Sequence, residues 1–179
     1  MPKDKFKLPS NQIIDRVFGV EHPNGGSRYL NGVRMGIVKE DSSLADAYHS
    51  QKKRYAEQLA TEVVSVIAAP DAVVKPPSRR DDADVYLDAI VQLTGARTLG
   101  GFSRKGAFRA GDSSTTLEDM IYELDYLPDG KEHEIKSIVI VDETVADGKT
   151  AAAMLHHLRK HGLSEAAQVT LATWVKVKS

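Results

Sequence analysis

The chain has 179 residues, 41% of them hydrophobic, with no cysteine and a formal net charge of −1. That length predicts one domain, the lack of cysteine excludes disulfides and thiolate zinc sites, and the near-neutral charge argues against general binding of nucleic acid or membrane surfaces. No apolar run approaches the roughly 20 residues of a membrane span, and the polar start MPKDKFKLPS lacks the apolar core of a signal peptide, so a soluble, cytoplasmic protein is expected.

In chain order, Met1 to Ser10 is charged, carries two prolines and reads as loosely docked. Asn11 to Val20 reads as a short helix with Ile13, Ile14 and Val17 on one face. Pro23-Asn24-Gly25-Gly26 is a turn signal, and Tyr29 to Lys39 reads as one or two strands broken at Gly32 and Gly36. Ser42 or Ser43 caps an amphipathic helix to about Thr61, with Leu44, Tyr48, Tyr55, Leu59 and Val63 along its stripe. Val63 to Ala69 is the next predicted strand. It ends at Pro70-Asp71, before a loop with Lys75, Pro76, Pro77, Ser78, Arg79 and Arg80. A helix from about Asp82 to Leu93 turns Ala83, Tyr86, Leu87 and Ile90 inward and stops at Gly95. Val63 to Phe102 thus makes a β-α-β unit.

Ser103 to Thr116 has a basic half, with Arg104, Lys105 and Arg109, and a hydroxyl-rich half. It is too polar to bury and long for a plain connection, which points to a mobile functional loop. A brief helix follows from Leu117 to about Leu124, capped by Thr115 or Thr116, and Pro128-Asp129-Gly130 turns the chain. Ser137 to Val141 is a β-branched run, as in a strand buried on both faces. Asp142 and Glu143 come next, then a small-residue loop, Ala146 to Thr150. That loop opens a helix with Ala151, Met154, Leu155 and Leu158 at helical spacing and Gly162 as its left-handed stop. Val169 to Val177 is a last strand and holds the only tryptophan, Trp174. The elements sum to a three-layer α/β fold with a mainly parallel sheet flanked by helices.

A strand that runs through acids and a glycine loop into a helix N-terminus is a phosphate site in outline, because free amides and the positive end of the helix dipole face the loop. A P-loop is excluded, since the glycine required five residues before Gly148-Lys149 is Glu143. No G-x-G-x-x-G opens a helix, which excludes the dinucleotide fingerprint. Ile138 to Thr150, IVIVDETVADGKT, resembles the PRPP-binding motif of the type I phosphoribosyltransferases: four apolar residues, two acids, two mostly apolar residues, then a small-polar Gly-x-Thr loop. The order of the elements before it resembles the competence-associated, amidophosphoribosyltransferase-like branch.

The resemblance implies one phosphoribosyltransferase-like domain over 1–179, with residues 1–40 the candidate hood over the acceptor site. It implies transfer of phosphoribose from PRPP to a base or other acceptor, with Mg²⁺ and release of pyrophosphate. Asp142 and Glu143 would face the ribose hydroxyls and favour positive charge on the sugar. Ala146, Asp147, Gly148, Lys149 and Thr150 would hold the 5′-phosphate. Lys75, Arg79 and Arg80 fall where the family places its pyrophosphate loop, with an unusual backbone conformation expected at Asp71-Ala72 or a neighbouring peptide. Arg104, Lys105 and Arg109 match the family's lid, which would exclude water and supply cations to the leaving group. Family members commonly dimerise, so the resemblance leaves a homodimer open without fixing the oligomeric state, and no set of direct side-chain metal ligands is predicted.

Plainer roles stand beside these. Asp81, Asp82 and Asp84 can balance the basic turn, and the long loop can be mere surface. His157 and His161, four apart, form either a metal pair or cationic complements to a helix C-terminus. Where the family often has Thr or Ser, this chain has Ala146 and Asp147. Asp147 sets a negative side chain beside a dianion, which lowers phosphate affinity unless it turns outward or Lys149 offsets it. This favours the alternative function, a non-catalytic PRPP- or nucleotide-sensing regulator with the same fold.

Overall fold

The computed structural model describes residues 3–22, 42–77, 83–106, 114–145 and 147–177. The strands are β1 (Lys3–Lys7), β2 (Ile13–His22), β3 (Ala72–Val74), β4 (Arg97–Thr98), β5 (Phe102–Arg104), β6 (Leu124–Tyr126), β7 (Ser137–Val145) and β8 (Gln168–Val177). The helices are α1 (Ser42–Val66), α2 (Asp84–Thr94), α3 (Leu117–Glu123) and α4 (Lys149–Lys160), with a 3₁₀ turn at Glu132–Glu134. The main sheet has the order β1-β2-β8-β7-β3-β4, parallel throughout except at edge strand β1. β5 and β6 form a separate antiparallel pair.

Alternation along β7 divides the core in two. Ile138 and Ile140 pack with Met120 of α3 and Met154, Leu155 and Leu158 of α4. Val139 and Val141 pack on the other face with Leu59 of α1 and Tyr86 and Ile90 of α2. A β-branched run without polar alternation suits this strand because both its faces are covered. The expected three-layer α/β class, a mainly parallel sheet flanked by helices, is the one observed. Gly95 caps α2 in the left-handed region, and Thr116 and Asp119 form a reciprocal capping box at α3. Among the described residues no helix is long and apolar enough to cross a membrane.

Three sequence expectations are corrected. Asn11 to Val20 is not a helix; most of it lies in β2, hydrogen-bonded to β1 on one side and β8 on the other. The period is two, with Ile14, Arg16 and Phe18 all buried along one face, while Ile13 is 64% exposed. Val63 to Val66 continues α1, since Val63 and Ile67 extend the buried seam of Ala56, Leu59 and Ala60. The strand is instead β3, after Pro70-Asp71. Lys3 to Lys7 is an ordered edge strand, not a loose end. Of the stretch read as a hood, 3–22 builds the sheet edge, while the turn at Pro23 and the strands from Tyr29 lie outside the described residues.

Candidate functional site

β3 covers β7 only at Ile138 to Ile140, whereas β8 follows it to Val145. Asp142 and Glu143 therefore lie within the strand and beyond the end of β3, at the carboxyl edge of the sheet. The chain also diverges there. β3 leads through α2 to β4 on one side, and β7 through α4 to β8 on the other. Such a switch point leaves a crevice at the strand ends, where α/β sheets place their ligands. Asp142 shares a face of β7 with Ile138 and Ile140. It is partly buried, in register with the fully buried Thr173 of β8.

The turn after β7 depends on Gly148, whose φ is 76°. A Cβ there would lie 2.5 Å from Phe6 Cε1 and 3.2 Å from Leu8 Cδ2, so both conformation and space require glycine. Phe6 is in turn held by Arg16, whose guanidinium lies 4.3 Å from the ring centroid. Arg16 is only 5% exposed and is fully engaged: Nε donates to Asp4 Oδ1 at 2.8 Å and Nη2 to Asp4 Oδ2 at 2.6 Å. This bidentate pair, stacked on aromatic faces, makes a buried cation tolerable. The β1–β2 hairpin is thus the wall behind the loop, and sequence reasoning missed Phe6, Leu8 and Arg16. One aromatic in a short lysine-rich segment carries no local signal of such a contact.

The first helical bond of α4 runs from the Ala152 amide to the Gly148 carbonyl at 2.9 Å. The amides ahead of it stand outside the helical ladder and are available to an acceptor. The Lys149 amide donates to Asp147 Oδ1 at 3.1 Å, and its ammonium pairs with Asp147 Oδ2 at 3.0 Å. Lys149 therefore offsets the charge of Asp147, while the Asp147 carboxylate takes one amide of the loop. Thr150 lies in the same first turn, partly buried. Ala146 lies outside the described residues.

Two of the expected cations, Lys75 and Lys105, are engaged in ion pairs. Lys75, directly after β3, forms an ion pair with Asp84 of α2. Lys105 donates its amide to the Glu123 carbonyl, pairs with Asp125 at 2.9 Å and lies over the Tyr122 ring. Arg104 is the last residue of β5, in register with Leu124. Arg79, Arg80 and Arg109 lie outside the described residues. Asp71 begins the approach to β3 at the amino edge of the sheet, opposite the crevice. No described peptide is cis and Asn11 is the only described non-glycine with positive φ, so the unusual backbone expected near Asp71-Ala72 is not present there.

No family model matches the chain, and no curated protein matches it by sequence. Among solved structures it is similar to a hypoxanthine phosphoribosyltransferase from Staphylococcus aureus, at 12% identity and a TM-score of 0.46, over 72% of this chain and 73% of that one. It is similar to an adenine phosphoribosyltransferase from Leishmania tarentolae, at 14% identity and a TM-score of 0.45, over 76% and 75%. It also overlaps a structure described as the allosteric regulatory enzyme of purine biosynthesis, at 18% identity and a TM-score of 0.44, over 70% of this chain but 26% of that one. These overlaps are partial, and the site stands on its own residues.

Among the described residues no three His, Cys, Asp or Glu side chains are grouped to hold a metal ion. His157 Nε2 lies 2.9 Å from the Ile121 carbonyl, and His161 packs beside Tyr126, so the two histidines serve α3 and β6. Magnesium, however, takes most of its shell from water and phosphate oxygens and only one or two carboxylates from protein. Asp142, partly buried at the carboxyl end of β7, is the one described carboxylate there of this kind.

Proposed function

We propose that the chain binds PRPP at the carboxyl edge of β7 and transfers its phosphoribosyl group to a base or other acceptor. The observation that carries this reading is the left-handed Gly148, set between the acid-bearing end of β7 and the open N-terminus of α4. In this reading Gly148, Lys149 and Thr150 bind the 5′-phosphate through amides and the Thr150 hydroxyl. Ala146 and Asp147 complete the loop. Asp142 and Glu143 accept the ribose hydroxyls, which orients the sugar and favours the positive charge that develops on it. The C1–O bond breaks with its electron pair leaving on pyrophosphate, a bond forms from C1 to the acceptor, and the acceptor's proton passes to solvent. Asp142 would hold a substrate-borne Mg²⁺, which would supply neutralisation of the leaving pyrophosphate. Arg79, Arg80 and Arg109 remain the proposed pyrophosphate ligands, with Lys75, Arg104 and Lys105 joining them once released from their present contacts.

Calorimetric titration of PRPP with Mg²⁺ into the wild type and Thr150→Ala tests the site. Binding that weakens in the variant supports it, and a wild type that binds nothing overturns it. Pyrophosphate release should then fall sharply in Asp142→Asn and Glu143→Gln with the fold intact. A second reading, a PRPP- or nucleotide-sensing regulator, draws on the Asp147–Lys149 contact, which fills part of the loop, and on the paired states of Lys75 and Lys105. Binding without pyrophosphate release across a panel of bases selects that reading.

A further inference from the structure

α4 also lines a second concave surface, along its length from Ala152 to Lys160. A cavity of about 520 Å³ lies between the β1–β2 turn, at Ser10, and the last turns of the helix, at His156, Arg159 and Lys160. Glu165 closes its rim, and Ala152 and Leu155 form an apolar floor. Its lining reaches back to Ala152, whose amide bonds to the Gly148 carbonyl, but includes none of Gly148, Lys149 and Thr150, and Arg159 is about 15 Å along the helix axis from Lys149. Its volume is within the range of small-ligand sites.

The charges are poised for exchange. Among the described residues the Arg159 side chain pairs with Glu165 at 3.1 Å, and its Nε has no hydrogen-bond partner. The Glu165 side chain is 78% exposed and that of Arg159 20%, so solvent competes for the pair on its glutamate side. Lys160 is exposed with no ion-pair partner among the described residues, and the exposed His156 stands edge-on to the His157 ring. Cations here also complement the negative end of α4, but that role needs neither a concavity nor an apolar floor. A guanidinium fork, an ammonium, an imidazole and the Ser10 hydroxyl around a small apolar floor match one anionic head on a compact organic body.

We propose that this cavity binds a phosphate monoester of mononucleotide size, with its phosphate displacing Glu165 from Arg159. The site would stand whether or not the phosphate loop binds PRPP. The probe is AMP, titrated by calorimetry and by amide-resolved NMR, with adenosine and inorganic phosphate as its two halves. AMP should shift the amides of Ser10, Arg159 and Lys160. Arg159→Gln should weaken binding about tenfold, whereas Glu165→Gln, which keeps the surface shape, should strengthen it severalfold. Each half alone should bind more weakly than AMP. The proposal is overturned if AMP does not bind, if it shifts only the amides near Gly148 to Thr150, or if neither substitution changes its affinity.

Discussion

Asp71 and Asp147 stand at opposite edges of one sheet, and each turns its carboxylate onto backbone amides. Asp71 Oδ2 accepts from the amides of Lys136 and Ser137 at 2.8 and 2.9 Å, and its own amide donates to the Ser137 carbonyl at 3.0 Å. These bonds join β3 to β7 across 65 and 66 residues of sequence. Among the described residues Asp147 accepts from Lys149, two residues ahead, so it ties a turn to itself. Behind Asp71 the amino edge is similarly closed: the fully buried Glu132 accepts from the Tyr126 hydroxyl at 2.7 Å and the Asp129 amide at 3.0 Å. One edge uses its polar groups to hold the fold, and the other keeps helix-end amides for an incoming anion.

The largest test of that contrast is Gly148→Ala. An alanine in the left-handed region costs about 1–2 kcal/mol, and the contact with Phe6 adds about 1–3 kcal/mol. Chemical denaturation should show the summed loss, and phosphate-loop binding should be lost with it. Phe6→Ala combined with Gly148→Ala should destabilise less than the sum of the two single changes, because removal of the ring relieves the clash. Strict additivity would show that Phe6 is not the wall of the loop.

At the closed edge, Tyr126→Phe removes a buried hydrogen bond to a carboxylate and should cost about 1.5–3 kcal/mol. Burial first, then the hydrogen bond to Glu132, pushes the Tyr126 phenol up from its ordinary value of 10.0. The folded state therefore favours the neutral phenol, and its contribution is intact below about pH 10. It is lost at higher pH as the unfolded phenol ionises. Tyr126→Phe should abolish that alkaline slope in denaturation curves, without change in PRPP affinity.

Asp71 gives a smaller effect of opposite sign in pH. The Lys136 amide, ahead of the Ser137 donors, holds its carboxyl below the usual 3.8. Its stabilisation is present above about pH 3.8 and is lost as pH falls through the lower folded value. Because Asp71 is exposed, Asp71→Asn should cost about 1 kcal/mol at pH 7. The variant and wild type should converge in stability by about pH 2. A constant difference at all pH values would show that the carboxylate charge is not what joins β3 to β7.

What could be read in the sequence follows the same division between local and distant contacts. The span from Ser137 to Leu158 is contiguous, and its strand pattern, glycine turn and helix spacing all agree. The same holds for α2 with Gly95 and for the Thr116 cap. β2 was obscured because its inward positions include Arg16, whose partner Asp4 lies on another strand. β3 has three residues, too few to show a period, and the Val63-to-Ile67 run beside it is β-branched yet helical. In the candidate site the loop was legible as chemistry, but its wall at Phe6 was not. Lys75 and Lys105 were legible as cations; their partners Asp84 and Asp125 were fixed only by folding.

Asp147→Ser is the mildest change for the fold and the most informative for function. The pair with Lys149 is partly exposed, at 24% and 48% for the lysine and aspartate side chains, and its loss should cost at most about 1 kcal/mol. For a phosphate approaching the first turn of α4, the same change removes a nearby negative charge and frees the Lys149 amide. At the effective dielectric of a partly exposed site this should tighten binding of PRPP or ribose 5-phosphate about tenfold. Calorimetry at two salt concentrations would show the gain shrink as screening increases. If affinity instead falls, Asp147 is a part of the binding surface, and the ion pair with Lys149 orders the loop more than it blocks it.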